Sequence, residues 1–314
     1  MKVAVGREFF VRFGAPAQEI VPELSWALIE KDGSWSEPPD TCDLVVLAGD
    51  AYRKEFIDAA VQMSYPRWAH TEDAGTDGRF YDAMHEKEAL VTYSPGANAP
   101  EVAEFAIAFL LWSVKRFGEL SGHQRLHRWQ ELGLESLGDK TALVVGLGAI
   151  GSRIATLAKG FGMRVLGIRQ STKPVAGVDQ LGTLADLHTF LPQADCVILA
   201  IPASPETANL IGGNALAGMK STATLINVAR GAIVDIEALK EALRTGAIRQ
   251  ACLDVFPTEP WPADDDLWDM PNVFITPHTA STSPLYLPRV AELWLENLRR
   301  YVRGEELLHR VIVT

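Results

Sequence analysis

The sequence predicts an α/β protein of two parallel-sheet domains, one inserted into the other. Three observations carry that expectation. Short apolar runs alternate with helical stretches through the N-terminal third, the alternation restarts more sharply at Thr141, and one last amphipathic helix follows Pro284. Runs at 2–5, 24–29, 43–48, 67–70 and 90–93 read as strands of a first parallel sheet. A long helix is expected from Pro100 and Glu101 through Phe105, Phe109 and Trp112, leading to a polar stretch at 121–137, rich in His, Arg and Gln, that reads as an exposed connecting arm. Six further runs, at 141–145, 164–168, 196–201, 224–228, 250–255 and 273–276, are separated by helices and describe a doubly wound sheet. Val290, Leu293, Trp294, Leu298 and Tyr301 recur at helical spacing in the last helix, which is expected to return to the first domain. This division assigns 1–98 and 285–314 to one domain and 99–284 to the other.

Composition narrows the class. A chain of 314 residues with 47% hydrophobic content can fill two cores. A net charge of −11 leaves no basic face for a polyanion, so nucleic acid and anionic membrane are not expected partners. Cys42, Cys196 and Cys252 are widely spaced and odd in number, which suits neither a disulfide framework nor a Cys-rich zinc site; a reducing cytoplasm is the expected location. The first fourteen residues carry Lys2, Arg7, Glu8 and Arg12 without a long apolar core, and the apolar helix near 103–114 is too short to span a bilayer, so a soluble, unprocessed chain is expected. No metal site is expected, because His123 and His127, though four apart, lack an evident third ligand.

Gly146-Leu147-Gly148-Ala149-Ile150-Gly151 follows an apolar strand and opens a helix whose Ile150, Ile154, Leu157, Ala158 and Phe161 share a face. In that setting Gly146 permits the tight turn, Gly148 lets backbone approach a pyrophosphate, Gly151 allows helix to pack closely on strand, and the helix N-terminus favours negative charge. The end of the following strand, Gly167-Ile168-Arg169-Gln170-Ser171-Thr172-Lys173, lacks the acid that binds the ribose 2′-hydroxyl of NAD. Arg169, Ser171 and Lys173 suit a 2′-phosphate, so NADP(H) is favoured over NAD(H).

Three later strand ends carry ionisable residues: Asn227-Val228-Ala229-Arg230-Gly231, Asp254-Val255-Phe256-Pro257-Thr258-Glu259-Pro260 and Thr276-Pro277-His278-Thr279-Ala280. In a doubly wound fold such ends face the ligand crevice. Reduction of a 2-oxo acid needs a cation to hold the carboxylate and polarise the ketone, and an acid to protonate the forming alkoxide. Arg230 suits the first task with its fork of donors. His278 suits the second, since histidine titrates near neutrality, and Glu259 beside it favours the imidazolium and orients the ring. Taken singly, each is compatible with a structural duty.

Together these segments resemble the D-isomer-specific 2-hydroxyacid dehydrogenase family, and its glyoxylate/hydroxypyruvate reductase-like branch, over nearly the whole chain and most firmly from about 74 to 280. The resemblance implies two Rossmann-like domains, a doubly wound cofactor domain inserted into a smaller flavodoxin-like substrate domain. It implies that Arg230, Glu259 and His278 form the catalytic set. Asp254 is placed at the nicotinamide amide and Pro202, Thr207, Val228 and Ala229 along the cofactor. The stretch Asp73-Ala74-Gly75-Thr76-Asp77 looks like the family's substrate loop, where backbone N–H groups of Ala74 and Gly75 hold the substrate carboxylate. Glu72 and Asp73 stand where small or hydroxyl residues are usual, and Pro100 sits inside the hinge motif. The two added carboxylates are expected to weaken simple acids.

Two function classes follow: a hydride-transferring 2-oxo acid reductase, and a dinucleotide-sensing binding protein on the same fold. Retention of all three ionisable residues favours the enzyme. An appended regulatory domain is not expected, nor a formate dehydrogenase, which has an amide where Glu259 stands. Glyoxylate, hydroxypyruvate and larger 2-oxo acids stay open, to be decided by a pocket in which Tyr52 and Trp268 are candidate walls. A homodimer is implied by the resemblance and, independently, by the apolar residues on more than one face of the helix at 101–114; Trp129 in the polar arm is the expected anchor.

Overall fold

In the computed structural model, residues 1–51, 54–64, 66–73, 79–171 and 173–311 are described, and they form two units, 1–98 with 283–314 and 99–282. The strands of the first unit are short runs of Val, Leu, Ile, Ala and Trp buried on both faces, the pattern of a parallel sheet covered by helices on each side. In chain order they are β1 (Lys2–Gly6), α1 (Arg7–Ile20), β2 (Ser25–Ile29), β3 (Leu44–Leu47), α2 (Lys54–Gln62), β4 (Trp68–Thr71), α3 (Arg79–Glu86) and β5 (Leu90–Thr92). Among the described residues the sheet has five strands, all parallel, in the order β2-β1-β3-β4-β5, which is the flavodoxin order.

The second unit continues with α4 (Ala99–Val114), α5 (Phe117–Arg125), β6 (Thr141–Val145), α6 (Ala149–Gly160), β7 (Arg164–Ile168), β8 (Gln180–Gly182), α7 (Leu187–Phe190), β9 (Cys196–Leu199), α8 (Gly213–Ala217), β10 (Thr224–Asn227), α9 (Ile236–Thr245), β11 (Gln250–Leu253) and β12 (Val273–Ile275). Its parallel sheet runs β12-β11-β10-β9-β6-β7-β8. Alternate residues of these strands point into separate cores. Leu143, Val145, Val197, Leu199 and Leu225 pack with Leu187, Leu216 and Leu239 of the helices on one side. Ala142, Val144, Cys196, Ile198 and Ile226 pack with Phe109, Leu110, Ile154 and Ala158 on the other. That alternation is what makes the sheet doubly wound.

The last helix, α10 (Tyr286–Arg303), belongs to the first unit, where Val290, Trp294 and Leu298 join Phe9 of α1 and Val3, Val5 and Val46 of the strands.

Two details of the sequence reading are corrected. The second sheet has a seventh strand, β8, which the six apolar runs omitted; Gln180-Leu181-Gly182 is short and only partly buried at the sheet edge, so it carries no apolar signal. The expected arm begins inside a helix, since α5 extends to Arg125 before an irregular, largely exposed stretch. Pro100 occupies the first turn of α4, where a missing N–H costs nothing.

α4 is apolar on several sides because several sides are covered within its own unit. Trp112 stacks on Phe274 of β12 with ring centroids 4.7 Å apart, and Phe109 meets the same ring at 5.6 Å. Among the described residues no helix is long and apolar enough to cross a membrane.

Candidate active site

β10, β11 and β12 are neighbours in register, with Asn227 beside Leu253 and Leu253 beside Ile275. Their carboxyl ends therefore release three turns side by side. Asn227, 1% exposed, donates from Nδ2 to Arg230 O at 3.0 Å and accepts from Ala229 N at 3.0 Å, so the Arg230 turn is closed on the strand itself.

Gly231 then makes the approach of the next turn possible. A Cβ at this position would lie 1.9 Å from Phe256 C and 2.2 Å from Pro257 N, so the two backbones touch where only a glycine fits. Arg230 is thereby placed beside the segment that carries Glu259, and its Nη1 donates to Ala229 O at 2.9 Å.

Glu259 folds back on its own turn, Oε1 accepting from Phe256 N at 2.9 Å while Oε2 lies 2.8 Å from His278 Nδ1. Partial burial opposes ionisation, but the Phe256 N–H, the His278 hydrogen bond and the charge of Arg230 outweigh it and hold the carboxyl below its ordinary value of 4.5. An ionised carboxylate only accepts, so the shared proton sits on His278 Nδ1 and Nε2 is left for a ligand. His278 has a backbone φ of +48° and a side chain 48% exposed. The ring can therefore meet a substrate without first being uncovered.

At the dinucleotide loop, Gly146 has φ +96° and packs against Ala200 O, where a Cβ would sit 2.4 Å away. A Cβ on Gly151 would lie 1.7 Å from Gly146 O, whereas one on Gly148 would meet nothing within 4 Å. The first and third glycines thus serve internal packing, and the second opens a space in front of the α6 N-terminus, where Ala149 and Ile150 begin the helix. That open cradle fits a pyrophosphate.

Elsewhere along the expected cofactor path, Val228 and Ala229 are buried beyond β10. Thr207, 4% exposed, donates to Pro202 O at 2.9 Å and accepts from Ser204 N at 2.7 Å, so its hydroxyl shapes the Pro202 turn. Arg169 follows β7, its N–H bonded to Gly182 O, and its guanidinium makes no ion pair or hydrogen bond among the described residues. Ser171 Oγ accepts from Lys173 N at 3.3 Å. Asp254, 1% exposed, is engaged by the turn at 276–280.

Of the expected substrate contacts, Tyr52, Ala74 and Gly75 lie outside the described residues. The two preceding acids have partners within their own unit. Glu72 Oε2 accepts from Gly49 N at 2.8 Å, and Asp73 Oδ2 accepts from Tyr81 Oη at 2.8 Å. Burial, with help from the charges of Asp73 and Glu8 and against the Gly49 bond, pushes Glu72 up to about 7. Trp268 is 47% exposed and donates to Pro262 O. Sequence reasoning gave no role to Asn227 or Thr276; the signal for Asn227 is an Asx residue two and three positions before the groups it bonds.

A parallel sheet of this order, a glycine cradle at its first helix and an Arg, Glu and His at the later strand ends define a nicotinamide-dependent oxidoreductase. Comparison with known proteins agrees. Residues 107–280 match the family described as D-isomer specific 2-hydroxyacid dehydrogenase, NAD binding domain. The chain is 39% identical over 241 residues to a glyoxylate reductase of Korarchaeum cryptofilum, covering 72% of this chain and 71% of that one. It is 34% identical to a glyoxylate/hydroxypyruvate reductase B of Pectobacterium carotovorum, covering 84% of each. Among solved structures, a D-isomer specific 2-hydroxyacid dehydrogenase family protein from Aeromonas salmonicida superposes with a TM-score of 0.84 at 28% identity, over 99% of this chain and 98% of that one. One from Xanthobacter autotrophicus, in complex with NADPH and MES, gives 0.81 at 28% identity over the same shares. The chain belongs to the D-isomer-specific 2-hydroxyacid dehydrogenase family. It is an NAD(P)-dependent oxidoreductase of 2-oxo and 2-hydroxy acids.

Proposed function

We propose that this protein reduces small 2-oxo acids of the glyoxylate and hydroxypyruvate kind with NADPH, using Arg230, Glu259 and His278. The observation that carries the reading is the 2.8 Å pair between His278 Nδ1 and Glu259 Oε2, formed beside the Arg230 turn at the carboxyl edge of the sheet. When bound, the nicotinamide supplies the hydride. Arg230 grips the substrate carboxylate and polarises the ketone oxygen, a task for a permanently charged planar fork. His278 delivers the proton from Nε2 to the forming alkoxide, and Glu259 holds the ring through Nδ1. Ala74 and Gly75 are proposed to bind the substrate carboxylate through backbone N–H groups.

The substrate preference rests on the names of the relatives at 39% and 34% identity. The cofactor preference rests on the absence of an acid after β7 and on Arg169, whose guanidinium is not engaged by the described residues. A homodimer joined through the arm is proposed on the 99% exposed Trp129, which with Leu134 rims a hollow of about 720 Å³. Three buried free cysteines suit a cytoplasmic location.

A panel of 2-oxo acids assayed with NADPH and NADH tests substrate and cofactor together. Glyoxylate and hydroxypyruvate are expected to give the highest kcat/KM, with NADPH ahead of NADH and Arg169→Asp reversing that order. A native preference for NADH would sink the cofactor reading. Arg230→Ala and His278→Ala are expected to abolish turnover while cofactor still binds, and normal turnover in either would remove that residue from the mechanism. Sedimentation equilibrium checks the dimer: a single species of 34.3 kDa would refute it.

A further inference from the structure

We propose that Asp254 is the positioning residue of the catalytic histidine: its buried carboxylate clamps the turn at 276–280 and so aims His278 at Glu259. This rests on the catalytic reading above and adds a duty distinct from contact with the cofactor.

The clamp is visible bond by bond. Asp254 Oδ1 accepts from Thr276 Oγ1 at 2.5 Å and from Thr279 N at 2.9 Å, and Oδ2 accepts from Ala280 N at 3.0 Å. The backbone of the same residue joins in, His278 N donating to Asp254 O at 2.8 Å. One residue therefore holds the chain on both sides of His278. None of the three donors to the carboxylate, one hydroxyl and two backbone N–H groups, is charged, so it is satisfied by the turn rather than by an ion pair, and at 1% exposure it has no water to fall back on.

The turn needs such a clamp for two reasons. His278 has φ +48°, a conformation that side chains other than glycine adopt sparingly and that persists only where the surroundings impose it. Its ring is also half exposed, so no packed wall sets its direction. What remains to aim the ring is the backbone under it and the single bond to Glu259 Oε2. Asp254 governs the first, and through it the second.

The arrangement specifies a carboxylate. Each oxygen receives a backbone N–H, Thr279 on one and Ala280 on the other. Whichever way an asparagine amide is turned, its NH₂ faces an N–H. Asp254→Asn therefore pushes the turn open while keeping the side-chain volume.

The test is made on the full-length enzyme with Asp254→Asn, Thr276→Val and Thr276→Ser. Three readouts are taken: NADPH affinity by fluorescence, the pH profile of kcat/KM, and the imidazole nitrogen signals of His278 in ¹⁵N-labelled protein without substrate. Asp254→Asn is expected to lower kcat on the order of 10²-fold, the effect of misplacing a catalytic group by about 1 Å. It is also expected to change the shape of the pH profile and to alter the Nδ1 signal that reports the bond to Glu259. Thr276→Val removes one of the three bonds without touching the carboxylate and is expected to move the same readouts by about five- to tenfold in kcat, with Thr276→Ser restoring them. Should Asp254→Asn fail to fold, the threonine pair carries the test. The proposal is overturned if these variants weaken NADPH binding while the pH profile and the His278 signal stay as in the parent, since Asp254 then serves the cofactor alone. His278→Ala separates the two layers: full activity there refutes the catalytic reading itself, whereas an inactive His278→Ala with an unmoved Asp254→Asn profile refutes only the clamp.

Discussion

Adding one methyl group at Gly231 is expected to cost more activity than its size suggests. The Cβ of Gly231→Ala would sit 1.9 Å from Phe256 C, 2.2 Å from Pro257 N and 2.3 Å from Phe256 O. All three are backbone atoms, so no side chain can swing aside. Ordinary contact needs roughly 3.5 Å, and the turns bearing Arg230 and Glu259 must therefore part by about 1.5 Å. Overpacking of this kind destabilises by about 1–3 kcal/mol, or a Tm lower by about 2–12 °C for a unit of residues 99–282. The catalytic loss should be larger, on the order of 10²-fold in kcat/KM, because the displacement separates two groups that must meet one substrate. Gly148→Ala is the control. Its Cβ meets nothing within 4 Å, so Tm should hold while NADPH binding weakens through intrusion on the cradle. Steady-state kinetics, NADPH fluorescence titration and thermal melts on both variants decide the matter. Gly231→Ala with kcat/KM within threefold of the parent would refute the claim that this backbone contact assembles the site.

Glu72→Gln is expected to flatten the alkaline fall in stability: the native group stands at about 7 against 4.5 when unfolded, so the advantage of its protonated form is complete below pH 4.5 and lost as pH rises through 7. Melts from pH 5 to 8 should show the variant gaining on the parent, and parallel curves would remove Glu72 from the pH dependence. His70 works in the opposite sense, since burial pushes it down to about 3 from 6.5 and its contribution is lost as pH falls through that range, so comparison of variant and parent isolates Glu72. Lys240→Met should destabilise by about 2 kcal/mol. Its side chain is 6% exposed, with Nζ 2.6 Å from Asp265 Oδ2 and 3.1 Å from Asp266 Oδ1, and removal leaves the Asp265 carboxylate, 18% exposed, without its cation. Adding Asp265→Leu should recover part of the loss, because Asp265 Oδ1 also caps Leu267 N at 2.9 Å, and denaturant titration showing additive losses instead would contradict the pairing.

The two-domain parallel architecture was legible in the sequence because it is written in local periodicity. Apolar runs of four to six residues, a glycine loop between strand and helix, and ionisable residues just past strand ends each need only a short window to read. Arg230, Glu259 and His278 stood out on that ground. β8 did not, since a half-exposed edge strand of Gln-Leu-Gly has no apolar contrast to detect. Glu72 showed as an anomaly, but its partner Gly49 is 23 positions away and belongs to another strand end.

What the sequence determined by itself was which elements form and which residue types stand at their ends. Only the tertiary structure decided which ends are neighbours, because strand order in a sheet is set by packing across the whole unit and not by position in the chain. The placing of β10, β11 and β12 side by side is what lets Gly231 touch Phe256, 25 residues on, and Asp254 reach the turn that follows β12. Asp254, which the family resemblance places at the cofactor, is bonded to the turn that bears His278, since a buried charge takes the donors that the fold brings nearest.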